Sequence, residues 1–393
     1  MMDLSFRSRS IQVLLITILA LALASCSDNA AFKQTMPDSF VTHPGVIVPN
    51  VPGSPYQSRS FQGIPAIAKT GSRLWAAWYG APSTNPASEG PGNFVIVAYT
   101  DDGMQWQESF YIVPQAAESE RVFDPQLWVD PVGRLWIFYA QSGKGMVNDN
   151  LIGAWASIIT NPLDIEPNVT TGVFLANGVP ASPFLIDGQW SMFINYWNVP
   201  TPARPELVGK NLYSLDWQNS RVTFIGKPDT TSPAVATFDE TTAVQLLNRH
   251  ILAQWRTAAG INYAVSTDSG VHWTVPTIFS GVTPQNNSRH VLARHPISGR
   301  LIIVLNRNQY FRTDLTVAAS DDEGITWPYQ YDFEPQNNVS YPAIVFDDNG
   351  DLLIIYDEDR SGTGKIKLAR ISESDLVAGN PNATISVISA LSN

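Results

Sequence analysis

The chain has 393 residues, 35 acidic against 24 basic side chains, a formal net charge of −11 and only 15% charged residues. An acidic chain without a basic run argues against nucleic acid or anionic membrane surfaces as partners. Its 12 Trp, 13 Tyr, 17 Phe, 26 Gly and 28 Pro suit an all-β domain with many turns, and the length does not require a second domain.

At the N-terminus, Arg7 and Arg9 precede an apolar run, Ile11 to Ala24, that is short for a transmembrane helix. The run ends in Leu23-Ala-Ser-Cys26, which contains the sole cysteine of the chain and resembles the lipobox of bacterial lipoproteins. The resemblance implies a signal peptide over residues 1–25, acylation of Cys26 and a membrane anchor of several acyl chains at the cell envelope. An ordinary secretory signal that happens to contain a cysteine is the alternative. With Ser27 rather than Asp next in line, delivery to the outer membrane is the expectation for a Gram-negative host, and the periplasmic face is the other possibility. Residues 26–58, polar and punctuated by Pro37, Pro44, Pro49, Pro52 and Pro55, read as a tether plus a lead-in strand. A single cysteine leaves no internal disulfide.

From residue 59 onward a short turn followed by an apolar strand recurs at intervals of roughly 50–60 residues. It appears as Gly71-Ser-Arg-Leu-Trp75, Gly133-Arg-Leu-Trp136, Asp187-Gly-Gln-Trp190, Asn248-Arg-His-Ile251, Gly299-Arg-Leu-Ile302 and Asn349-Gly-Asp-Leu352. The strands after these turns, such as Leu74-Trp-Ala-Ala-Trp-Tyr79 and Leu301-Ile-Ile-Val-Leu305, are continuous apolar runs, as strands buried on both faces require. Such an interval accommodates a four-stranded blade with its loops. Six repeats predict a six-bladed β-propeller over 59–393.

A second pattern is written on top of the first. Tyr99-Thr-Asp-Asp-Gly-Met-Gln-Trp106, Ser266-Thr-Asp-Ser-Gly-Val-His-Trp273 and Ser320-Asp-Asp-Glu-Gly-Ile-Thr-Trp327 share the form Ser-x-Asp-x-Gly-x-x-Trp, with Tyr99 departing at the first position. An Asp two residues before a Gly accepts backbone N–H groups inside a tight turn, and the Gly supplies positive φ. The Trp caps the turn, and its indole N–H needs a partner. In this reading Asp101, Asp268 and Asp322 are structural. The pattern resembles the Asp-box of sialidase-type β-propellers.

The resemblance to the sialidase superfamily extends over residues 59–376, closest to a bacterial sialidase-like subgroup. It is carried in order by Arg59-Ser-Phe-Gln-Gly-Ile-Pro65, Glu89-Gly-Pro-Gly-Asn93, Phe123-Asp-Pro-Gln-Leu-Trp128, Phe238-Asp-Glu240, Arg256-Thr257, Asn287-Ser-Arg289, Arg312-Thr-Asp-Leu315, Ser340-Tyr-Pro342 and Tyr356-Asp-Glu-Asp-Arg360. It implies an exo-glycosidase that removes a terminal acidic sugar with retention, without a cofactor, using a tyrosine nucleophile. A neutral phenol suits a sugar whose own carboxylate would repel an anionic nucleophile. By position Tyr341 matches that nucleophile. Glu240, sixteen residues before Arg256, matches its base, and Arg256 and Arg312 match two arginines of a triad that clamps a carboxylate.

Two departures stand out. Gly63 occupies the place, before Ile64-Pro65, where the family carries its first arginine. Ser83 to Ser88 also lacks the expected acid/base aspartate, for which Glu89 or Asp124 is the replacement. Arg59 and Arg289 are the candidates to compensate for the missing arginine. Each site residue also has a structural alternative: Tyr341 as an inter-blade wedge, Glu240 and Arg256 as a plain ion pair, Arg312 as a partner of Asp314, Asp124 as a turn residue. The five histidines show no metal-ligand spacing, and no metal is expected. Beside the sialidase reading stand a propeller acting on another polysaccharide sugar, a propeller that binds glycan without catalysis, and an envelope scaffold.

Overall fold

The computed structural model describes residues 44–84, 88–142, 152–197, 205–229 and 238–391. Cys26 and the signal segment lie outside the described residues. The remainder forms six antiparallel sheets arranged as the blades of a β-propeller.

The first sheet holds β1 (Val46–Pro49), β2 (Arg59–Thr70), β3 (Arg73–Pro82), β4 (Phe94–Thr100) and β5 (Gln107–Val113); the second holds β6 (Arg121–Val129), β7 (Leu135–Ser142), β8 (Ile152–Ile159) and β9 (Val173–Asn177). In the third, the inner strand is split into β10 (Val179–Pro180) and β11 (Phe184–Ile186), followed by β12 (Gln189–Tyr196), β13 (Gly209–Asp216) and β14 (Arg221–Gly226). The fourth is β15 (Thr242–Gln245), β16 (Ile251–Thr257), β17 (Gly260–Ser266) and β18 (Thr277–Ile278). The fifth is β19 (Val291–Arg294), β20 (Leu301–Asn306), β21 (Leu315–Ser320) and β22 (Tyr329–Glu334), and the sixth β23 (Val339–Phe346), β24 (Leu352–Glu358), β25 (Lys365–Ile371) and β26 (Ala383–Ser389).

The six turns read from the sequence join the first and second strands of the six blades. Each carries a residue with positive φ: Gly71, Gly133, Gly188, Arg249, Gly299 and Gly350. The lead-in strand is part of the propeller, because β1 pairs with β5 from Val46–Val113 to Pro49–Phe110 and widens the first sheet to five strands. The strands after the turns bury both faces. Trp75, Trp78 and Trp136 are fully buried, and their indole N–H groups donate to Thr70 Oγ1, Gln62 Oε1 and Asp130 Oδ2, each at 3.0 Å. Such side chains each contribute roughly 2–3 kcal/mol of hydrophobic stabilisation, and pairing the indole avoids a desolvation cost that would cancel much of it.

Among the described residues no strand crosses the ring closure. The first blade comes wholly from the N-terminal end of the described chain and the last wholly from the C-terminal end. The seam is held by packing of Ile67 and Trp78 with Ala343, Leu353 and Ile355. Polar contacts reinforce it: Gln62 N–H donates to Arg360 O at 3.0 Å, and Gln62 Nε2 to Gly364 O at 2.6 Å.

The Asp-box turns connect the third and fourth strands of blades 1, 4 and 5. In the latter two, Ser266 and Ser320 donate to Asp268 and Asp322, which accept the N–H of His272 and Thr326. The capping Trp273 and Trp327 return their indole N–H to the carbonyls of Gly270 and Gly324. Blade 1 differs from the expectation. There Asp102, not Asp101, accepts from Thr100 Oγ1 and from the N–H of Met104 and Gln105, so the box is shifted by one residue. Asp101 is instead gripped by Arg73 through two bonds, at 2.7 and 2.9 Å. Thr100 supplies the turn's hydroxyl, which accepts the Gly103 N–H at 3.0 Å, while the Tyr99 phenol points away and donates to Gln107 Oε1 at 3.2 Å.

Candidate active site

Three first strands, β2, β6 and β23, share one local irregularity. Register shifts between Gly63 and Ala66, Phe123 and Gln126, and Ser340 and Ala343 mark β-bulges in β2, β6 and β23. The first bulged residue in each, Ile64, Asp124 and Tyr341, has φ of 59°, 48° and 56° and is followed by proline. Glu240, just before β15, has φ of 43°. Positive φ at non-glycine residues is costly, and its repetition on several blades singles out this end of the ring. Proline fits because the bulge interrupts the ladder where its missing N–H would have been required.

These bulges bring the predicted residues together. The Tyr341 hydroxyl accepts from Arg256 Nη1 at 2.9 Å, and the same nitrogen donates to Glu240 Oε2 at 3.0 Å. Arg256 Nε donates to Asn287 Oδ1 at 2.6 Å. The arginine, rather than a direct bond, therefore joins the tyrosine to its expected base. Glu240 is left free for this by its neighbour: Asp239 is turned to Lys210 at 3.0 Å, and its backbone carbonyl accepts the Arg256 N–H. Around the Tyr341 ring stand the guanidinium groups of Arg360, Arg312 and Arg289, at 4.1, 5.0 and 5.9 Å from its centroid. Burial pushes the Tyr341 phenol up to about 12, as does Glu240, against the opposing pull of Arg256, Arg312 and Arg360. At neutral pH it is a protonated phenol.

Asp124 is buried beside this cluster, with Trp197 nearby, tilted against Phe123 at 5.8 Å and edge-to-face with Phe238 at 4.9 Å. Burial pushes its carboxyl up to about 7, followed by the negative charges of Glu240 and Glu89, while Arg289 and Arg121 oppose. A carboxyl poised at that value can donate or accept a proton at neutral pH. Glu89 sits 3.3 Å from Arg360 Nη1 in an ion pair. A cavity of about 610 Å³ runs along the inner strands and takes in Asp124, Glu240, Arg289 and His290, but not Tyr341 or Arg312. Asp124 and Glu240, both at the charged cluster, are the carboxyl groups of its lining; past Leu127 and Ile344 the cavity is walled mainly by apolar side chains, with Lys69 and Arg294 as its charged groups.

The arginines divide into two kinds. Arg256 is matched by Glu240, and Arg360 by Asp357 and Glu89. Arg289 donates to the neutral Gln126 at 3.0 Å, and among the described residues neither Arg289 nor Arg312 meets a carboxylate. Asp314, the structural alternative for Arg312, accepts from Asn308 instead. Arg59 is not part of the cluster: it forms an ion pair with Glu108 at 2.7 Å inside the first blade, and Glu108 also holds the Tyr111 hydroxyl. Arg59 lies at the start of β2, beside a separate register shift between Arg59 and Phe61, and its side chain reaches Glu108 of β5. Arg360, in contrast, was not singled out by the sequence as a site residue. Its one signal is the Tyr356-Asp-Glu-Asp-Arg360 run after the tyrosine strand.

Residues 208–354 match the BNR repeat-like domain family. No curated protein matches the sequence. Among solved structures, the chain is similar to a protein of unknown function from Dyadobacter fermentans, at 13% identity and a TM-score of 0.59, covering 82% of this chain and 95% of that one. It is also similar to a mutant of the NanB sialidase of Streptococcus pneumoniae, at 11% identity and a TM-score of 0.59, covering 81% and 68%. Trypanosoma rangeli sialidase, solved with 2,3-difluorosialic acid as a covalent intermediate, gives 12% and 0.58, covering 82% of this chain and 55% of that one. At such identities the likeness establishes the fold, and the chain spans little more than half of the trypanosomal protein. The chain thus has the six-bladed propeller fold of these sialidase structures, with Asp-box turns on three blades and a BNR repeat-like match over residues 208–354.

Proposed function

We propose that the protein is a retaining exo-glycosidase acting on a terminal sugar with an anionic substituent. The observation that carries this reading is Arg256 Nη1 shared between the Tyr341 hydroxyl and Glu240, beneath two guanidinium groups without a carboxylate of their own. In the first step the Tyr341 oxygen bonds to the anomeric carbon as the glycosidic C–O bond breaks. The phenol proton passes to Glu240, and Asp124 gives its proton to the departing oxygen. Asp124 is preferred to Glu89 as this acid because it is the carboxyl poised near 7, while Glu89 is tied to Arg360. In the second step Asp124 takes a proton from water, whose oxygen replaces Tyr341 at the anomeric carbon, and the phenol recovers its proton from Glu240. Arg256 holds the phenol oxygen through both steps, stabilising the negative charge that builds on it. Arg289 and Arg312 grip the anionic group.

The test is hydrolysis of a fluorogenic α-sialoside by the purified protein, beside a panel of uronic acid glycosides. Turnover of an acidic glycoside with retention supports the reading. Tight binding of acidic sugars with no turnover of any would make the protein a glycan-binding propeller instead. We also propose anchoring through Cys26: metabolic labelling with a fatty-acid analogue should tag the wild-type chain and not Cys26→Ser, and an untagged wild type would remove the anchor.

A further inference from the structure

Among the guanidinium groups facing the Tyr341 ring, that of Arg360 lies nearest. It comes from the loop after β24, in the last blade, and crosses β2 of the first. Its stem fits because residue 63 has no side chain. A Cβ there would stand 2.7 Å from both Cγ and Cδ of Arg360 and 2.9 Å from Nε. Carbon atoms do not approach so closely, and it is the middle of the stem, not its free end, that would have to move.

The head group is held as firmly. Asp357, fully buried, accepts Arg360 Nε–H at 2.8 Å, the Ile64 backbone N–H at 2.7 Å and the Ser340 hydroxyl at 2.8 Å. One carboxylate therefore fixes the guanidinium, the bulge of the first blade and the residue before Tyr341. Arg360 Nη2 donates to Ser340 Oγ at 3.2 Å and Nη1 to Glu89 at 3.3 Å, both long. A guanidinium has five N–H groups, and these bonds use three. One N–H on each terminal nitrogen has no partner among the described residues, which leaves two donors for an anionic group.

We infer that Arg360 is a recognition residue for the substrate's anionic group, delivered from the sixth blade into the space that Gly63 leaves open in the first. The inference rests on the acidic-sugar reading above. It also accounts for the departure at Gly63: the guanidinium expected from that position arrives from the opposite end of the chain, and an arginine at both places would not fit.

The experiment compares binding of free sialic acid and of its methyl ester, which keeps the shape and removes the charge, by calorimetry on the purified protein. Arg360→Gln keeps most of the stem and should weaken the acid by roughly tenfold to a hundredfold while leaving the ester unchanged. Gly63→Ala should weaken the acid too, by displacing Arg360, and should add nothing in an Arg360→Gln background, because the two act through one group. Equal losses for acid and ester would reduce Arg360 to a tie between blades, and unchanged acid binding in Arg360→Gln would overturn the inference. So would a full additional loss from Gly63→Ala in the double variant. If Gly63→Ala fails to fold, the acid–ester comparison within Arg360→Gln decides alone. A wild type that binds neither sialic acid nor glucuronic acid would bring down the acidic-sugar reading itself, an outcome distinct from any of these.

Discussion

Tyr341→Phe is expected to lose turnover by at least about a thousandfold while binding of the acidic sugar stays within a few-fold of wild type. The substitution removes the oxygen that Arg256 Nη1 donates to and keeps the ring on which Arg360, Arg312 and Arg289 lie. Tyr341 is 5% exposed and packed into the core of the first two blades, so Phe preserves the packing that places the arginines. Arg256 remains paired with Glu240, and no buried charge is orphaned. With its phenol held near 12, the tyrosine is protonated at every pH where the protein is assayed, so the attack depends on Glu240 as base rather than on a standing phenolate. Single-turnover kinetics beside calorimetry separate the two effects. Retained turnover would place the nucleophile elsewhere. Parallel loss of binding would make Tyr341 part of the scaffold.

The residues that were legible in the sequence are those whose role is local. Turn glycines, apolar strand runs and the capping Trp273 and Trp327 obey short-range rules, and they sufficed for six blades. The first Asp-box shows the limit of such rules: Tyr99 was aligned with Ser266, but the hydroxyl the turn needs sits on Thr100, so the accepting carboxylate is Asp102. Arg59 failed for a related reason. Its side chain leaves β2 beside a separate register shift, and nothing in the neighbouring residues says which face it takes. The site itself was half legible. Gly63-Ile64-Pro65, Phe123-Asp124-Pro125 and Ser340-Tyr341-Pro342 were visible as separate motifs, although they are one bulge repeated on three blades. Arg360 could not be read, because its meaning depends on an absence at residue 63, far away in sequence and adjacent in space.

Asp124 supplies the other large effect, and here the sign is fixed by burial. Its carboxyl is pushed from 3.8 up to about 7, so the acid form needed to protonate the leaving oxygen persists through neutrality and disappears above it. Activity should therefore fall along a limb near pH 7. Asp124→Asn should abolish that limb and reduce turnover by roughly 10²–10⁴-fold. Stability gives a second readout that does not depend on knowing the sugar. A carboxyl whose folded value lies above its unfolded one contributes its stability below pH 3.8 and loses it as pH rises through 7, by up to ~4 kcal/mol for a shift of this size. The wild type pays to ionise Asp124 inside the protein; Asn, with nothing to ionise, does not. The advantage of Asp124→Asn in denaturant unfolding should accordingly grow between pH 5 and 8 and be smallest near pH 4. A pH–rate limb that survives in Asp124→Asn and vanishes in Glu89→Gln would hand the acid role to Glu89. An unfolding difference flat across that range would mean that the neighbouring guanidinium groups of Arg289 and Arg121 already hold Asp124 ionised in the folded protein.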